Sequence, residues 1–130
     1  MTKIAITGSN GRMGRALTRA VKLNPNVSQG SILNRGDDIK QALNDFDVLV
    51  DFTRPEATLN ALSICQNAGK AMVIGTTGFS DDALKAIDQA SSDIPIVFAP
   101  NMSVGVNLTL KLLETTAKVI GTDSNIEIVE

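Results

Sequence analysis

The sequence contains no histidine, no tryptophan and no tyrosine among its 130 residues. Histidine is the side chain that most often acts as a general acid or base near neutral pH, so its absence narrows the chemistry that this chain can perform by itself. The single cysteine, Cys65, excludes an internal disulfide and fits a reducing compartment. We interpret Cys65 as a small buried residue of a helix rather than as a nucleophile.

The sequence also lacks long charged or apolar segments. Its 12 basic and 14 acidic side chains are spread along the chain, and no basic stripe indicates binding to nucleic acid. No apolar run approaches the ~18 residues that a membrane span needs, and no signal peptide precedes the first strand. No group of residues has the spacing of metal ligands. We therefore expect a cytoplasmic protein without a metal, a membrane partner or a nucleic-acid partner.

What the sequence does contain is a regular alternation of apolar runs and helical patterns. The strands are continuous apolar runs, which are typical of parallel sheets covered on both faces. Repeated strand–helix units with right-handed crossovers predict an open, doubly wound α/β fold with a parallel sheet, in one domain over residues 1–130. The predicted strands are Lys3–Thr7, Val27–Leu33, Asp47–Phe52, Ala71–Ile74, Pro95–Ala99 and Asn125–Val129. The predicted helices are Arg12–Leu23, Ile39–Leu43, Glu56–Asn67, Asp81–Ala90 and Val104–Ile120.

Several residues are expected to begin or end these helices. Gly69 and Gly121 are placed to end two of them, and Ser103 is placed to cap the longest. Thr53 and Glu56 have the spacing of a capping box, in which each side chain bonds the backbone of the other residue. Such a box would explain this segment without any ligand.

A glycine-rich turn, GSNGRMG, joins the first strand to the first helix. Gly8 would let the strand turn sharply, Gly11 would leave room for a pyrophosphate, and Gly14 would let the helix pack on the sheet. The spacing is GxxGxxG rather than GxGxxG, so it is the position between strand and helix that favours nucleotide binding over a plain turn. Arg12 could cover an adenine or pair with phosphate, or it could simply be solvated. The candidate residues here are Gly8, Ser9, Asn10, Gly11, Arg12 and Met13.

The end of the second strand, ILNRGDD, is where this fold meets the adenosine ribose. Asn34 occupies the position where a carboxylate selects NAD, and it can bond a ribose hydroxyl without repelling a 2′-phosphate. Arg35 can pair with that phosphate through its guanidinium, although an ordinary loop arginine is an equal alternative. We predict that NADPH is bound at least as well as NADH. Asp37 or Asp38 would weaken this prediction by folding back towards the ribose.

The remaining strand ends add further candidates. Phe52 and Arg54 could lie on the nicotinamide side of the cofactor. Two threonines bracketed by glycines suit a ribose or a carboxamide, although they also suit a plain turn. The residues after the fifth strand could hold the nicotinamide amide through backbone carbonyls and a side-chain amide. The candidates at these last two ends are Gly75, Thr76, Thr77, Ala99, Pro100, Asn101 and Met102.

Taken in order, the segments GSNGRMG, VDFTRPEATL, MVIGTTGF, VFAPNMSVGVN and NIEIVE resemble dihydrodipicolinate reductase, also called 4-hydroxy-tetrahydrodipicolinate reductase. The resemblance spans the whole chain. It implies a Rossmann-like cofactor domain of an oxidoreductase in lysine and diaminopimelate synthesis. The family reduces the cyclic product of dihydrodipicolinate synthase with NADPH or NADH, usually as a homotetramer.

The resemblance also implies roles for individual residues. Gly8 to Met13 would cradle the pyrophosphate, and Asn34 and Arg35 match an often acidic position and the 2′-phosphate arginine. The GTTG residues would contact the nicotinamide ribose, and Ala99 to Met102 would contact the carboxamide. In the family a histidine-rich segment with a catalytic lysine follows the last strand. We therefore expect residues 125–130 to lead into a missing catalytic domain, no catalytic residue in this chain, and no activity from it alone.

The sequence departs from the family at one place, and two alternative functions stay open. The stretch from Arg35 to Phe46 is much shorter than in the best-known members of the family, so a strand and loop at that sheet edge are expected to be missing. A different dehydrogenase of similar layout, such as a homoserine or aspartate dehydrogenase, would share the glycine turn. A non-enzymatic module that senses nucleotides would share it as well.

Overall fold

The computed structural model describes residues 1–125, 127 and 129. The chain divides into two compact units, Met1–Pro100 and Asn101–Glu130, and each is described by itself. The first unit holds the whole sheet, and the second holds the longest helix. The sixth strand predicted at Asn125–Val129 includes Ile126 and Ile128, which lie outside the described residues, so it remains a prediction.

The first unit is built on a five-stranded sheet in which every neighbouring pair is parallel. The order is β2-β1-β3-β4-β5, so the chain moves outward from β1 to β2 and then crosses to the other side of β1. This confirms the predicted parallel α/β fold. The strands are β1 Thr2–Thr7, β2 Val27–Leu33, β3 Val48–Asp51, β4 Ala71–Ile74 and β5 Ile96–Phe98.

Strand β2 lies at one edge of the sheet. This is the order of a Rossmann sheet that lacks its third strand, which normally lies outside the second. The absence of that strand was predicted from the short segment after Arg35. A helical turn and a 3-10 turn, Leu43–Asp45, occupy the connection instead. Gly30 makes their packing possible, because a Cβ at this position would overlap the Asp45 carbonyl oxygen.

The helices follow the predicted pattern closely, with three of the five matching at both ends. Gly69, with φ of 64°, ends α3 in the left-handed conformation that favours glycine. In the second unit, the Ser103 hydroxyl accepts from the Val106 amide, and Gly121 ends the helix. The helices are α1 Arg12–Leu23, α2 Ile39–Ala42, α3 Pro55–Ala68, α4 Asp81–Ala90 and α5 Val104–Ile120.

The predicted capping box at the start of α3 is wrong. Arg54, not Thr53, is the residue that precedes the helix, and no side chain caps it. The Thr53 hydroxyl donates to Asp51 Oδ1 at 2.6 Å instead. The bond to Asp51, two residues earlier, orients the Thr53 side chain towards the end of β3, and α3 begins one residue later than the capping box requires.

The core of the sheet consists of side chains that are almost completely buried, among them Phe46, Leu49 and Met72. Cys65 on α3 joins this core with no exposed surface, as predicted. Burial raises the pKa of the Cys65 thiol from 9.0 to about 11, and the Asp51 carboxylate adds to the shift. The thiol is therefore protonated near neutral pH and behaves as a small apolar group. No helix in the described part of the chain is both long and apolar enough to cross a membrane.

Candidate functional site

A cleft of about 660 Å³ opens at the carboxyl ends of β1, β2 and β3. This is the point where the chain order reverses across the sheet, and open α/β sheets bind their ligands in such a crevice. The cleft is lined by Thr7, Gly8, Gly11, Leu33, Asn34, Arg35, Gly36, Asp37, Ile39, Asp51, Phe52, Thr53, Arg54, Glu56, Ala57 and Asn60.

The glycine turn forms one wall of the cleft. Gly8 has φ of 65°, in the left-handed region, and its carbonyl oxygen accepts from the Gly11 amide at 2.9 Å. A Cβ at Gly8 would lie 2.9 Å from Cγ2 of Thr53, so a side chain there would press on the opposite wall. A Cβ at Gly14 would overlap the Gly8 carbonyl, which confirms that Gly14 lets α1 pack against the turn.

Two helices begin at this cleft, and neither has a side-chain cap. Helix α1 begins after Gly11 and α3 begins after Arg54, with no side chain bonded to the first amides of either. Helix α1 also has no acidic residue in its first turn. The other three α-helices of the described chain are capped by the side chains of Asp38, Ser80 and Ser103. Both uncapped helix starts face the cleft, where a ligand can bond their amides. The short helix α2 also begins at the cleft, at Ile39, but its first turn is capped by Asp38.

Asn34 ties the end of β2 to the glycine turn. Its Oδ1 accepts from the Ser9 hydroxyl at 2.8 Å and from the Asn10 amide at 3.1 Å. The carboxamide oxygen is thus engaged within the protein and leaves only the Nδ2 hydrogens to donate to a ligand. Asn34 holds the turn in place in addition to lying at the ribose position, a role that local sequence did not indicate.

The acidic residues after β2 have different positions. Asp38 caps α2 by accepting from the Lys40 amide at 2.9 Å. Asp37 folds back and accepts from the Asn34 amide at 2.7 Å, so its carboxylate lies in the cleft lining. Arg35 also lines the cleft and makes no ion pair within the described residues. Of these two carboxylates, Asp37 is therefore the one that lines the cleft.

Asp51 lies at the floor of the cleft and is only 1% exposed. Its Oδ1 accepts from the Thr7 and Thr53 hydroxyls at 2.9 and 2.6 Å, while its Oδ2 is buried without a partner. The Thr53 amide in turn donates to Oγ1 of Thr76 at 2.9 Å. The sequence analysis did not select Asp51, although a carboxylate at the end of a buried apolar strand is a signal that could have found it.

The other predicted residues are spread around this cleft. Phe52 and Arg54 line it, and the ring of Phe52 lies so close to Gly75 that a Cβ there would overlap it. Thr76 is buried beneath Thr53. The remaining predicted residues do not line the cleft. Ser9 and Asn10 bond Asn34, and the Ala99 amide bonds the end of β4. Four others are exposed, namely Arg12, Met13, Thr77 and Pro100, and Asn101 and Met102 belong to the second unit.

The cleft fits the diphosphate and adenosine parts of a dinucleotide. Gly8 and Gly11 leave the turn without side chains, and the uncapped start of α1 offers unpaired amides to an anion. Arg35 and Arg54 add positive charge at the rim. Ile39 and Ala57 provide apolar surface for a base. No cluster of metal-ligating side chains occurs in the part of the chain that the structure describes.

Fold and site together define an α/β protein with a Rossmann-like nucleotide-binding layout. Residues 2–102 match the family described as dihydrodipicolinate reductase, N-terminus. Because this match covers most of the sequence, the chain belongs to that family. This is the family that the sequence segments resemble.

A curated relative is the 4-hydroxy-tetrahydrodipicolinate reductase of Hahella chejuensis (strain KCTC 2396). It is 46% identical over 153 aligned positions that take in all of this chain. The alignment is longer than the 130 residues of this chain, so the relative has internal residues that are absent here. The chain spans 57% of the length of that relative.

Two solved structures resemble this one. The dipicolinate-bound dihydrodipicolinate reductase from Paenisporosarcina sp. TG-14 is 26% identical, with a TM-score of 0.74 over 90% of this chain and 54% of that chain. The capsular polysaccharide assembling protein CapF from Staphylococcus aureus is 14% identical, with a TM-score of 0.52 over 98% of this chain and 39% of that chain. The second similarity concerns the fold alone.

Proposed function

We propose that this chain is the cofactor-binding part of a 4-hydroxy-tetrahydrodipicolinate reductase and binds a nicotinamide dinucleotide in the cleft at the ends of β1, β2 and β3. The observation that carries the proposal is the coincidence of the glycine turn with the two uncapped helix starts. An anionic diphosphate supplies the acceptors that these amides lack.

A bound nicotinamide supplies a hydride from its C4 atom to an unsaturated carbon of the substrate. The residues of this chain bind and orient that cofactor. The amides after Gly11 hold the diphosphate, and the apolar surface of Ile39 and Ala57 accommodates the adenine. The chain has no histidine or tyrosine that could act as a general acid, and we assign proton transfer to none of its cleft residues. We therefore propose that the 130 residues bind the cofactor without catalysing turnover.

The cofactor preference follows from the groups at the end of β2. The Nδ2 hydrogens of Asn34 can donate to phosphate oxygens, and the Arg35 guanidinium can pair with a 2′-phosphate. The Asp37 carboxylate opposes this phosphate by like-charge repulsion. Two favourable groups against one unfavourable group lead us to propose that NADPH is preferred and NADH is accepted. By the family resemblance, we expect the full-length enzyme to be a cytoplasmic homotetramer.

The proposal is tested by titrating the chain with NADPH and with NADH and following the fluorescence of the reduced nicotinamide. We expect saturable binding of both and no reductase activity. Absence of binding by the folded chain would refute the cofactor proposal, and measurable turnover would refute the assignment of proton transfer to residues outside this chain.

The preference itself is tested with Arg35→Gln, which removes the charge and keeps a polar side chain of similar length. We expect NADPH to bind about tenfold more weakly, because one charge-assisted contact to phosphate is worth roughly 1.4 kcal/mol, while NADH binding stays unchanged. Arg19→Gln, which removes an arginine that lines a second pocket and not the cleft, is the matched control and should change neither value. Equal losses for NADPH and NADH would contradict the role given to Arg35.

A further inference from the structure

We infer that Asp51 is a positioning residue for the cofactor: it holds the glycine turn and the segment before α3 in the arrangement that accepts a dinucleotide. The inference rests on the proposed function, since it concerns the same cleft. It assigns a task to a buried carboxylate that the hydride transfer itself does not use.

The pairing of strands brings the partners together. Thr7 and Asp51 are register partners at the carboxyl ends of β1 and β3, and the Thr7 hydroxyl donates to Asp51 Oδ1 at 2.9 Å. Thr53 follows two residues later and donates to the same oxygen at 2.6 Å. One carboxylate oxygen therefore joins the last residue before the glycine turn to the segment that leads into α3.

The contacts extend from Asp51 to the backbone that would hold the ligand. The hydrogen bond to Asp51 fixes the rotamer of Thr53, whose Cγ2 methyl then lies against Gly8. The Thr53 amide donates to Thr76 Oγ1, and Thr58 contacts that hydroxyl at 3.0 Å from α3. Displacing Thr53 would thus move the wall that faces Gly8, and with it the space for a diphosphate.

The charge of Asp51 indicates that stability alone does not explain this residue. Its Oδ2 has no hydrogen-bond partner, and Asp51 makes no ion pair within the described residues. A buried carboxylate without a compensating cation destabilises the fold. Groups of this kind are concentrated at functional sites, where they set the local structure.

The direction of the hydrogen bonds also selects the ligand group that fits here. The Thr53 hydroxyl donates to Asp51, and the Thr7 hydroxyl has acceptors in Asp51 at 2.9 Å and in the Val50 carbonyl oxygen at 3.3 Å. Both protons are thus engaged within the protein, and the oxygens of Thr7 and Thr53 can only accept from a ligand. A ribose hydroxyl is a donor and fits them, whereas a phosphate oxygen is an acceptor and does not. The floor of the cleft therefore takes a ribose, and the diphosphate lies towards Gly11 and the start of α1.

The test compares Asp51→Ala and Asp51→Asn with the control Asp47→Ala, at a temperature where every variant is folded. Asp47 immediately precedes the opposite end of the same strand, and its Oδ2 accepts from the Lys3 amide at 2.8 Å. We expect Asp51→Ala to weaken NADPH binding at least about tenfold, and Asp51→Asn, which keeps an acceptor, to recover most of the affinity. Asp47→Ala should lower the thermal midpoint without changing NADPH affinity.

Two outcomes overturn the inference. One is wild-type affinity in Asp51→Ala, and the other is a loss in Asp51→Asn as large as in Asp51→Ala. Failure of the wild-type chain to bind NADPH would instead refute the proposed function. If Asp51→Ala does not fold, Thr53→Val and Thr53→Ser decide: Val keeps the shape without the hydroxyl and should bind about fivefold more weakly than Ser. Equal affinities in these two variants would overturn the inference.

Discussion

The starts of α1 and α4 lie at the same edge of the same parallel sheet, yet only the first amides of α4 have a side-chain acceptor. At α4 the Ser80 hydroxyl accepts from the Ala83 amide at 3.3 Å, and Asp81 and Asp82 place negative charge on the first turn. At α1 the preceding residue is Gly11, which has no side chain to offer, and the first turn has no acidic residue. A side chain of the protein itself accepts from the first amides of α4, whereas the first amides of α1 remain available to a ligand.

This difference shows how a site can be distinguished from an ordinary helix start. Every α-helix begins with amides that lack partners within the helix, so a free amide alone indicates nothing. What separates α1 and α3 from α4 is that both begin at the 660 Å³ cleft, and what separates them from α2, which also begins there, is that Asp38 caps α2. A ligand bound there can bond the first amides of both α1 and α3. The free energy of binding then offsets the stability that side-chain caps would otherwise provide.

The largest expected effect comes from giving α1 the start that α4 has. Gly11→Asp would place a carboxylate at a backbone conformation, φ −73° and ψ 170°, that suits a capping residue. The new Cβ would lie 3.2 Å from the Gly8 carbonyl oxygen, so this backbone oxygen must move by a few tenths of an ångström. We expect NADPH affinity to fall about a hundredfold or more, because the carboxylate occupies the amides and repels the diphosphate. Calorimetric titration measures the change.

The matched control for this variant is Ser80→Asp, which changes one capping residue for another at α4. It introduces the same charge at the same edge of the sheet and should leave NADPH affinity unchanged. An equal loss of affinity in both variants would mean that net charge, rather than occupation of the α1 amides, determines binding.

A smaller effect is expected from removing the cap of α4. Ser80→Ala leaves the Ala83 amide without its acceptor and should lower the free energy of unfolding by about 1 kcal/mol. Urea unfolding gives this value, with the slope unchanged. NADPH affinity should stay at the wild-type value, since Ser80 does not line the cleft. A coupled loss of affinity would show that α4 contributes to the site.

The start of α3 permits a converse experiment. Arg54→Asn introduces a capping side chain at a position that has none, and should raise the free energy of unfolding by about 0.5–1 kcal/mol. Arg54→Ala removes the same cation without adding a cap. Arg54→Ala should weaken NADPH binding by a factor of about three, because an exposed cation at the rim contributes modestly. Arg54→Asn should weaken it further, because the new cap also occupies amides of α3 that the ligand would bond. Greater stability together with unchanged affinity in Arg54→Asn would exclude Arg54 from the site.

The titration of Cys65, which affects stability and not NADPH affinity, defines the pH range in which these comparisons are valid. The pKa of Cys65 is raised to about 11 in the folded chain, so the native state holds this proton more tightly than the unfolded state. Its contribution to stability is complete below pH 9 and is lost as the pH rises towards 11. We expect the wild-type chain to lose more stability than Cys65→Ala between pH 9 and 11, as measured by urea unfolding. Identical pH profiles would contradict the assignment.

The fold was largely predictable because it is encoded locally. The helix α1 and the strand β2 were predicted at their observed bounds, and Ser103 and Gly69 act as caps where the pattern placed them. These features depend on apolar spacing and on residues within a few positions of each helix end. The parallel arrangement followed from the continuous apolar strands.

The site was predictable only in outline, because its contacts join distant parts of the sequence. Asn34 bonds Ser9 across 25 positions, and Thr7 bonds Asp51 across 44. Those pairs depend on which strands become neighbours and in what register, which no local pattern encodes. The capping box predicted from Thr53 was wrong for a local reason: α3 begins one residue later than the box requires, and the Thr53 hydroxyl bonds Asp51, two residues earlier.

The central claim concerns the amides at the start of α1, and an amide-resolved titration observes them directly. In nitrogen-15 spectra of the 13.7 kDa chain, addition of NADPH should shift the amides of Arg12 and Met13 strongly and those of Asp82 and Ala83 very little. Saturating shifts confined to α1, α3 and the end of β2 are the result we predict. Saturable binding that leaves the Arg12 and Met13 amides unchanged would contradict the account.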